Sequence, residues 1–342
     1  MLSTGAGVLG CAGGKDPADG TTGAVGPDAD PPPGSLLAEP LGELPGKLSE
    51  VGLYRDLSRL TVSRRAIAYE PGYPLWSDGG EKQRLLVLPD GESVDASDPE
   101  AYVFPVGTLI FKTFSFLTEQ SPEQTVPVET RLLRLTDDGW KLDAYAWDEA
   151  GADAELLELK RTETRTILSD DGEAIEHAIP SRLECRQCHE SSASMVLGTT
   201  ELQLAKSGDL ERLLPHLAPT PSEPYAALPE HGPLTSQVLG YLVGNCVTCH
   251  NGGNGASSSY DLRPEVALEN LIDQPTMSSA AAPGVRVIPG NPEESQMFLA
   301  VSGSMDLEVK DMPPVGVALR DAHAIDLLRE WITALGTEGA EP

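Results

Sequence analysis

Cys185-Arg186-Gln187-Cys188-His189 and Cys246-Val247-Thr248-Cys249-His250 spell one pattern, CxxCH, twice in the chain. Cysteines three apart on a helical turn share a face, so both can reach neighbouring vinyl groups of one haem and form thioether bonds. The histidine that follows lies under the metal, where its imidazole can be the proximal iron ligand. Each motif therefore reads as a c-type haem attachment site. Cys185, Cys188, Cys246 and Cys249 are the expected covalent anchors, His189 and His250 the expected iron ligands, and two haem c groups the expected cofactors. A redox CxxC and a four-cysteine zinc ribbon are the other readings of such pairs. Neither accounts for the two adjacent histidines, and a ribbon leaves about 15–20 residues between its pairs, far fewer than lie between Cys188 and Cys246.

The chain of 342 residues is 40% hydrophobic, which suits about two domains with real cores. Its 24 basic and 53 acidic residues leave a formal charge of −29. Phosphate binding needs the opposite sign, so a nucleic-acid partner is excluded, whereas a cationic redox partner is compatible. No apolar run approaches the roughly 18 residues of a membrane span. Four of the five cysteines belong to the haem motifs, so no disulfide is expected. The fifth, Cys11, follows Val8-Leu9-Gly10 and precedes Ala12, which resembles a bacterial lipoprotein processing site with lipid on the cysteine. Residues 1–10 then read as a signal remnant. Haem attachment in bacteria takes place outside the cytoplasm, so both signals point to the cell envelope: a periplasm-facing or surface lipoprotein, with the outer membrane as the expected location.

Residues 11–46, rich in Gly, Pro, Ala, Asp and Thr, read as a disordered tether, since they carry too little apolar surface to offset ordering entropy. Over 47–178 short β-rich runs alternate with Gly, Pro and Asp, which predicts a β-rich, sandwich-like domain. Its candidate strands are Gln83–Leu88, Thr108–Leu117, Val126–Leu135, Trp140–Trp147 and Glu155–Leu168, with Asp137-Asp138-Gly139 as a hairpin turn. Trp76, Trp140 and Trp147 are expected in its core rather than at a substrate. Residues 179–233 form the first haem segment, with short helices over Leu197–Leu204 and Asp209–Leu217 before the Pro-rich run Ala218–Pro233. Residues 234–337 read as a class I-like cytochrome domain, and 338–342 as a tail. In that domain Thr235 or Ser236 can cap a helix running to the second CxxCH. Asp321 can cap a last helix whose stripe is Ile325, Leu328, Trp331, Ile332 and Leu335. The fold class is thus α+β and multi-domain, a β-rich part followed by a mainly α-helical di-haem region.

Between those two helices lies Asp311-Met312-Pro313-Pro314, whose prolines fix an extended backbone able to hold the Met312 thioether toward iron. Met312 is the expected sixth ligand of the second haem, with Met297 and Met305 as competitors. The first haem has no such motif. Met195 lies too near His189 to reach round the ring easily, and His216, His231 and His177 are single candidates beside an open position. His323, in the first turn of the last helix, is expected to be solvated.

With these residues in view, the chain resembles a bacterial family of di-haem c-type cytochromes in which a β-rich N-terminal domain precedes two CxxCH motifs. The likeness rests on Leu48-Ser49-Glu50-Val51-Gly52-Leu53, Pro74-Leu75-Trp76-Ser77-Asp78-Gly79, Phe104-Pro105-Val106-Gly107-Thr108, Val128-Glu129-Thr130-Arg131, Val196-Leu197-Gly198, Asn245–His250 and Val287-Ile288-Pro289-Gly290. The C-terminal part is also similar to planctomycete-type cytochrome modules, through Gly290-Asn291-Pro292 and Met312-Pro313-Pro314. The resemblance implies haem binding and electron transfer. Three functions are compatible with it. One is a single-electron carrier between redox partners, another a di-haem peroxidase-like or other haem oxidoreductase with an open first haem, and the third a partner-docking lipoprotein. The expectation is the carrier, with no catalytic residue assigned.

Overall fold

A computed structural model of the chain describes residues 31–253, 260–276, 284–303, 309 and 311–337. The strands are β1 (Tyr54–Asp56), β2 (Thr61–Val62), β3 (Ile67–Ala68), β4 (Glu81–Val87), β5 (Val94–Asp95), β6 (Leu109–Thr118), β7 (Ser121–Thr136), β8 (Gly139–Trp147), β9 (Ala154–Leu156), β10 (Glu163–Leu168), β11 (Ala174–Ile179) and β12 (Leu217–Ala218). The helices are α1 (Arg182–His189), α2 (Glu201–Ser207), α3 (Leu210–Leu213), α4 (Pro233–Asn245), α5 (Ala267–Leu271), α6 (Gln296–Ser302) and α7 (Ala322–Leu335). Among the described residues strand outweighs helix, 27% against 24%, so the fold is mixed and sheet-rich.

One antiparallel sheet of eight strands organises the molecule, in the order β11-β10-β6-β7-β8-β9 with β4 also beside β6 and β3 beside β4. Strand side chains alternate between faces, so the register decides what each face is made of. On one face Leu85, Phe111 and Leu132 stand side by side and bury Leu36, Leu37, Leu48, Val51 and Leu53 beneath them. On the other face Leu86, Ile110, Leu133 and Leu142 form a row that packs against Val196, Leu204, Leu210 and Leu213, with Cys185 and Met195 at the margin. The chain after β11 therefore folds back onto the sheet. β7 slips register where Pro127 lies opposite Ser115, as expected of a residue without an amide hydrogen to give the ladder.

Several elements depart from expectation. The β-rich part is one eight-stranded branched sheet with chain segments on both faces, beside the small pairs β1-β2 and β5-β12, not two large sheets face to face. Ordered packing begins well before residue 47: Ser35, Leu36 and Leu37 are buried, so the predicted tether is too long at its C-terminal end. Glu155–Leu168 is two strands, because Leu159 takes a positive φ of 44° and turns into a small cluster with Ala144, Ala146 and Ile179. The helix expected over Leu197–Leu204 starts later, at Glu201, where the Thr200 side chain accepts from Gln203 N–H. α4 starts at Pro233 behind Gly232, so neither Thr235 nor Ser236 is its cap. Thr235 instead accepts the Trp331 indole N–H at 3.2 Å, joining α4 to α7. Asp321 caps α7 as the sequence indicates, its carboxylate 3.1 Å from Ala324 N–H. Leu328, Trp331 and Ile332 fill a second core with Val238, Leu239 and Leu242 of α4.

Candidate functional site

The first CxxCH lies on α1, which a capping box starts: Ser181 Oγ accepts from Glu184 N–H, and the Glu184 carboxylate accepts from Ser181 N–H at 2.8 Å. One helical turn thus presents Cys185 and Cys188 together and ends on His189. The His189 ring is fixed by a 2.6 Å bond from Nδ1 to the carbonyl oxygen of Met195. A carbonyl can only accept, so Nδ1 carries the proton and Nε2 keeps its lone pair. Burial lowers the pKa to about 4 against the opposing pull of the Met195 bond, so the ring is neutral at pH 7. A neutral imidazole locked in one tautomer by a carbonyl is the form in which histidine ligates a metal.

The second motif follows the end of α4. Cys246 N–H donates to Leu242 O at 2.8 Å, and both Cys249 N–H (3.0 Å) and His250 N–H (2.9 Å) donate to Cys246 O, so the helical turn continues through the motif. His250 stands against Tyr260, ring centres 4.6 Å apart, and burial followed by the Arg286 charge lowers its pKa. The two motifs meet. Mutual influence of the Cys188 and Cys249 thiols raises the pKa of Cys188 and lowers that of Cys249, and Asn251 Nδ2 donates to Ser191 O at 2.8 Å.

These residues fit covalent haem. All four described cysteines are free thiols, each pair sits on a helical turn, and His189 offers Nε2 in the right tautomer. A zinc ribbon would gather the four cysteines at one centre, whereas among the described residues no three His, Cys, Asp or Glu side chains come together as a cage.

Met312 lies half-buried in the loop between α6 and α7, its N–H bonded to Ala300 O at 2.9 Å. Met297 packs against the α4–α7 core. Met305 and Cys11 lie outside the described residues. Of the candidates at the first haem, His177 is taken at both nitrogens, by Asp78 (2.8 Å) and Glu129 (3.1 Å), and is no free ligand. His216 lines a small apolar cavity with Tyr69 and Tyr102. His231 precedes α4, its carbonyl accepting from Ser236 Oγ at 3.3 Å, and His323 is exposed on α7. No family model, curated protein or solved structure matches the chain.

The loop Tyr73–Gly80, distinctive in sequence but without a legible role, joins the sheet to the chain that flanks the second motif. Trp76 N–H donates to Asn245 Oδ1 (2.7 Å) and its indole N–H to Leu319 O (2.8 Å), so this tryptophan is a clamp rather than core. Asp78 Oδ1 accepts from Ala318 N–H (2.7 Å) and Leu319 N–H (2.8 Å), a few residues beyond Met312. Its other oxygen meets His177, which in turn meets Glu129, and Glu129 pairs with Arg131 at 2.5 Å. Burial would raise both carboxyls, but the Arg131 charge and the His177 bond hold Glu129 down at about 2, and His177 with the two amides holds Asp78 below its ordinary value. Burial would lower His177, yet its two carboxylates raise it. β11 is three places from β7, about 14 Å in a flat sheet, so His177 can reach Glu129 only because the β10–β11 hairpin folds over the sheet face.

Proposed function

We propose that this protein is an exported, membrane-anchored di-haem c-type cytochrome that passes single electrons between redox partners. The observation that carries the reading is the His189 ring, held neutral and with Nε2 free beside two thiols of a CxxC turn, next to a second such turn. Cys185 and Cys188 would tether one haem with His189 as proximal ligand. Cys246 and Cys249 would tether the other, with His250 and Met312 as ligands. Bound haem supplies a reversible one-electron change at iron. The chain does the rest: the thioethers prevent loss of the cofactor, the Met195 carbonyl orients His189, and the adjoining motifs bring the two centres within one site. His/Met ligation raises the potential and leaves no open position for chemistry at the second haem. On this reading the sheet of residues 47–178 is the β-rich domain of the cytochrome family named above, 179–233 and 234–337 carry the haems, and Cys11 bears the lipid. A net charge of −29 suits a basic redox partner.

Low-temperature EPR of the oxidised protein tests it. The carrier reading expects a low-spin signal from the second haem that becomes high-spin in Met312→Ala, with slower inter-haem electron transfer; unchanged spectra and kinetics would contradict it. A peroxidase-like reading draws on the engagement of His177 at both nitrogens, which removes one distal candidate from the first haem. Peroxide turnover by the wild type, lost in His189→Ala, would favour that reading over the carrier.

A further inference from the structure

Cross-strand register places Arg84 opposite Lys112, and Lys112 opposite Arg131, so three cations stand in one row across β4, β6 and β7. Lys82, two residues from Arg84, faces the same way. Like charges directly opposite each other on a sheet destabilise it, so such a row calls for compensation. The polypeptide supplies little. Glu129 answers Arg131, and Asp78 is committed to His177 and two amides. Arg84 is 7% exposed, yet its guanidinium hydrogen-bonds to no described residue, and it feels Glu70 through space without an ion pair. The Lys112 ammonium rests over the Phe114 ring, 4.5 Å from its centre, also without a hydrogen bond to any described residue. A buried guanidinium left unpaired costs far more than a solvated one. In a chain of net charge −29 this is a local surplus of positive charge, with Arg84 buried and Lys112 and Arg131 half-buried.

The row adjoins the first CxxCH. The Arg131 charge acts on Cys185, and those of Arg131 and Lys112 both act on Cys188 and His189. The next row on the same face is apolar, Leu86, Ile110, Leu133 and Leu142, and Cys185 packs against it. The face thus runs from apolar to cationic beside a tether for a ligand that is an apolar disc with two carboxylates on one edge. Building on the di-haem reading above, we propose that Arg84, Lys112 and Arg131 form a carboxylate-binding row that seats the propionates of the haem tethered at Cys185 and Cys188. They are positioning residues that fix the haem edge to the sheet and raise its potential by facing it with positive charge.

The test uses full-length protein matured with haem-attachment machinery: wild type, Lys112→Gln, Arg84→Gln and the charge-keeping Lys112→Arg and Arg84→Lys. Covalent haem is counted, and reduction potentials are read by spectroelectrochemistry. Both Gln variants are expected to keep two haems while the first-haem reduction equilibrium falls about tenfold, 59 mV for one electron, with recovery in the charge-keeping forms. Equal potentials in all five proteins, each with two haems, would overturn the assignment; a wild type without haem would instead overturn the di-haem reading. Should a Gln variant not fold, propionate-bending bands in the resonance Raman spectrum of the wild type decide, since bands at the position of unbonded propionates would overturn the assignment. Inorganic phosphate separates the haem's own carboxylates from a free oxyanion. A saturable phosphate-dependent shift of the wild-type potential, lost in Lys112→Gln, would mean that the row takes free anions and not propionates.

Discussion

His177 is a histidine buried between two carboxylates, and its neighbours decide what pH does to the fold. Its raised pKa means that its contribution is complete below its unfolded value of 6.5 and is lost as pH rises through the folded one. Glu129 and Asp78 have the opposite sign: their contribution is complete above 4.5 and 3.8 and is lost as pH falls, toward about 2 for Glu129. The network should therefore stabilise most between pH 4.5 and 6.5. Thermal melts from pH 2 to 9 are expected to peak in that window for the wild type and to flatten there in His177→Gln; identical profiles would remove the network from the account. Asp78→Ala strands the buried His177 and frees two backbone amides, and loss of one partner of a buried pair costs about 3–5 kcal/mol, a change readable as a lower urea midpoint.

The loop Tyr73–Gly80 seats on α4 through a glycine. A Cβ on Gly244 would lie 2.7 Å from Tyr73 O and 2.8 Å from Pro74 O, both backbone atoms that cannot step aside. Gly244→Ala should cost about 1–3 kcal/mol and speed hydrogen exchange at Trp76 N–H, whose acceptor Asn245 follows directly. Unchanged exchange there would mean that the loop is not seated by this approach. Strands with strong local patterns, such as Trp140–Trp147 and its Asp137-Asp138 turn, were legible because alternation and turn chemistry lie in consecutive residues. So were the α7 cap at Asp321 and both CxxCH turns. The cation row was not, because Arg84, Lys112 and Arg131 meet through register across three strands, which single-sequence periodicity does not carry. Nor was the role of Trp76: tryptophan predicts burial, but its partner Leu319 lies far along the chain. Trp147 did go to the core, its indole N–H on Thr130 Oγ1 at 2.9 Å.

Across the whole molecule, the sheet, its folded-back hairpin and the loop before α7 share one polar network that runs from Arg131 through Glu129, His177 and Asp78 to Leu319. The acidic exterior sets the behaviour toward partners. On the proposed carrier function, electron transfer to a small basic cytochrome should slow at least tenfold between about 0.01 and 1 M salt, where the screening length falls from about 30 to 3 Å. A salt-independent rate would exclude a cationic partner. The carrier reading presupposes two covalent cofactors on Cys185, Cys188, Cys246 and Cys249. Intact mass spectrometry of protein produced with haem-attachment machinery measures that directly. The account predicts a polypeptide heavier by two haems, falling to one in Cys246→Ala/Cys249→Ala; a mass equal to the bare chain, with no visible absorption, would contradict it.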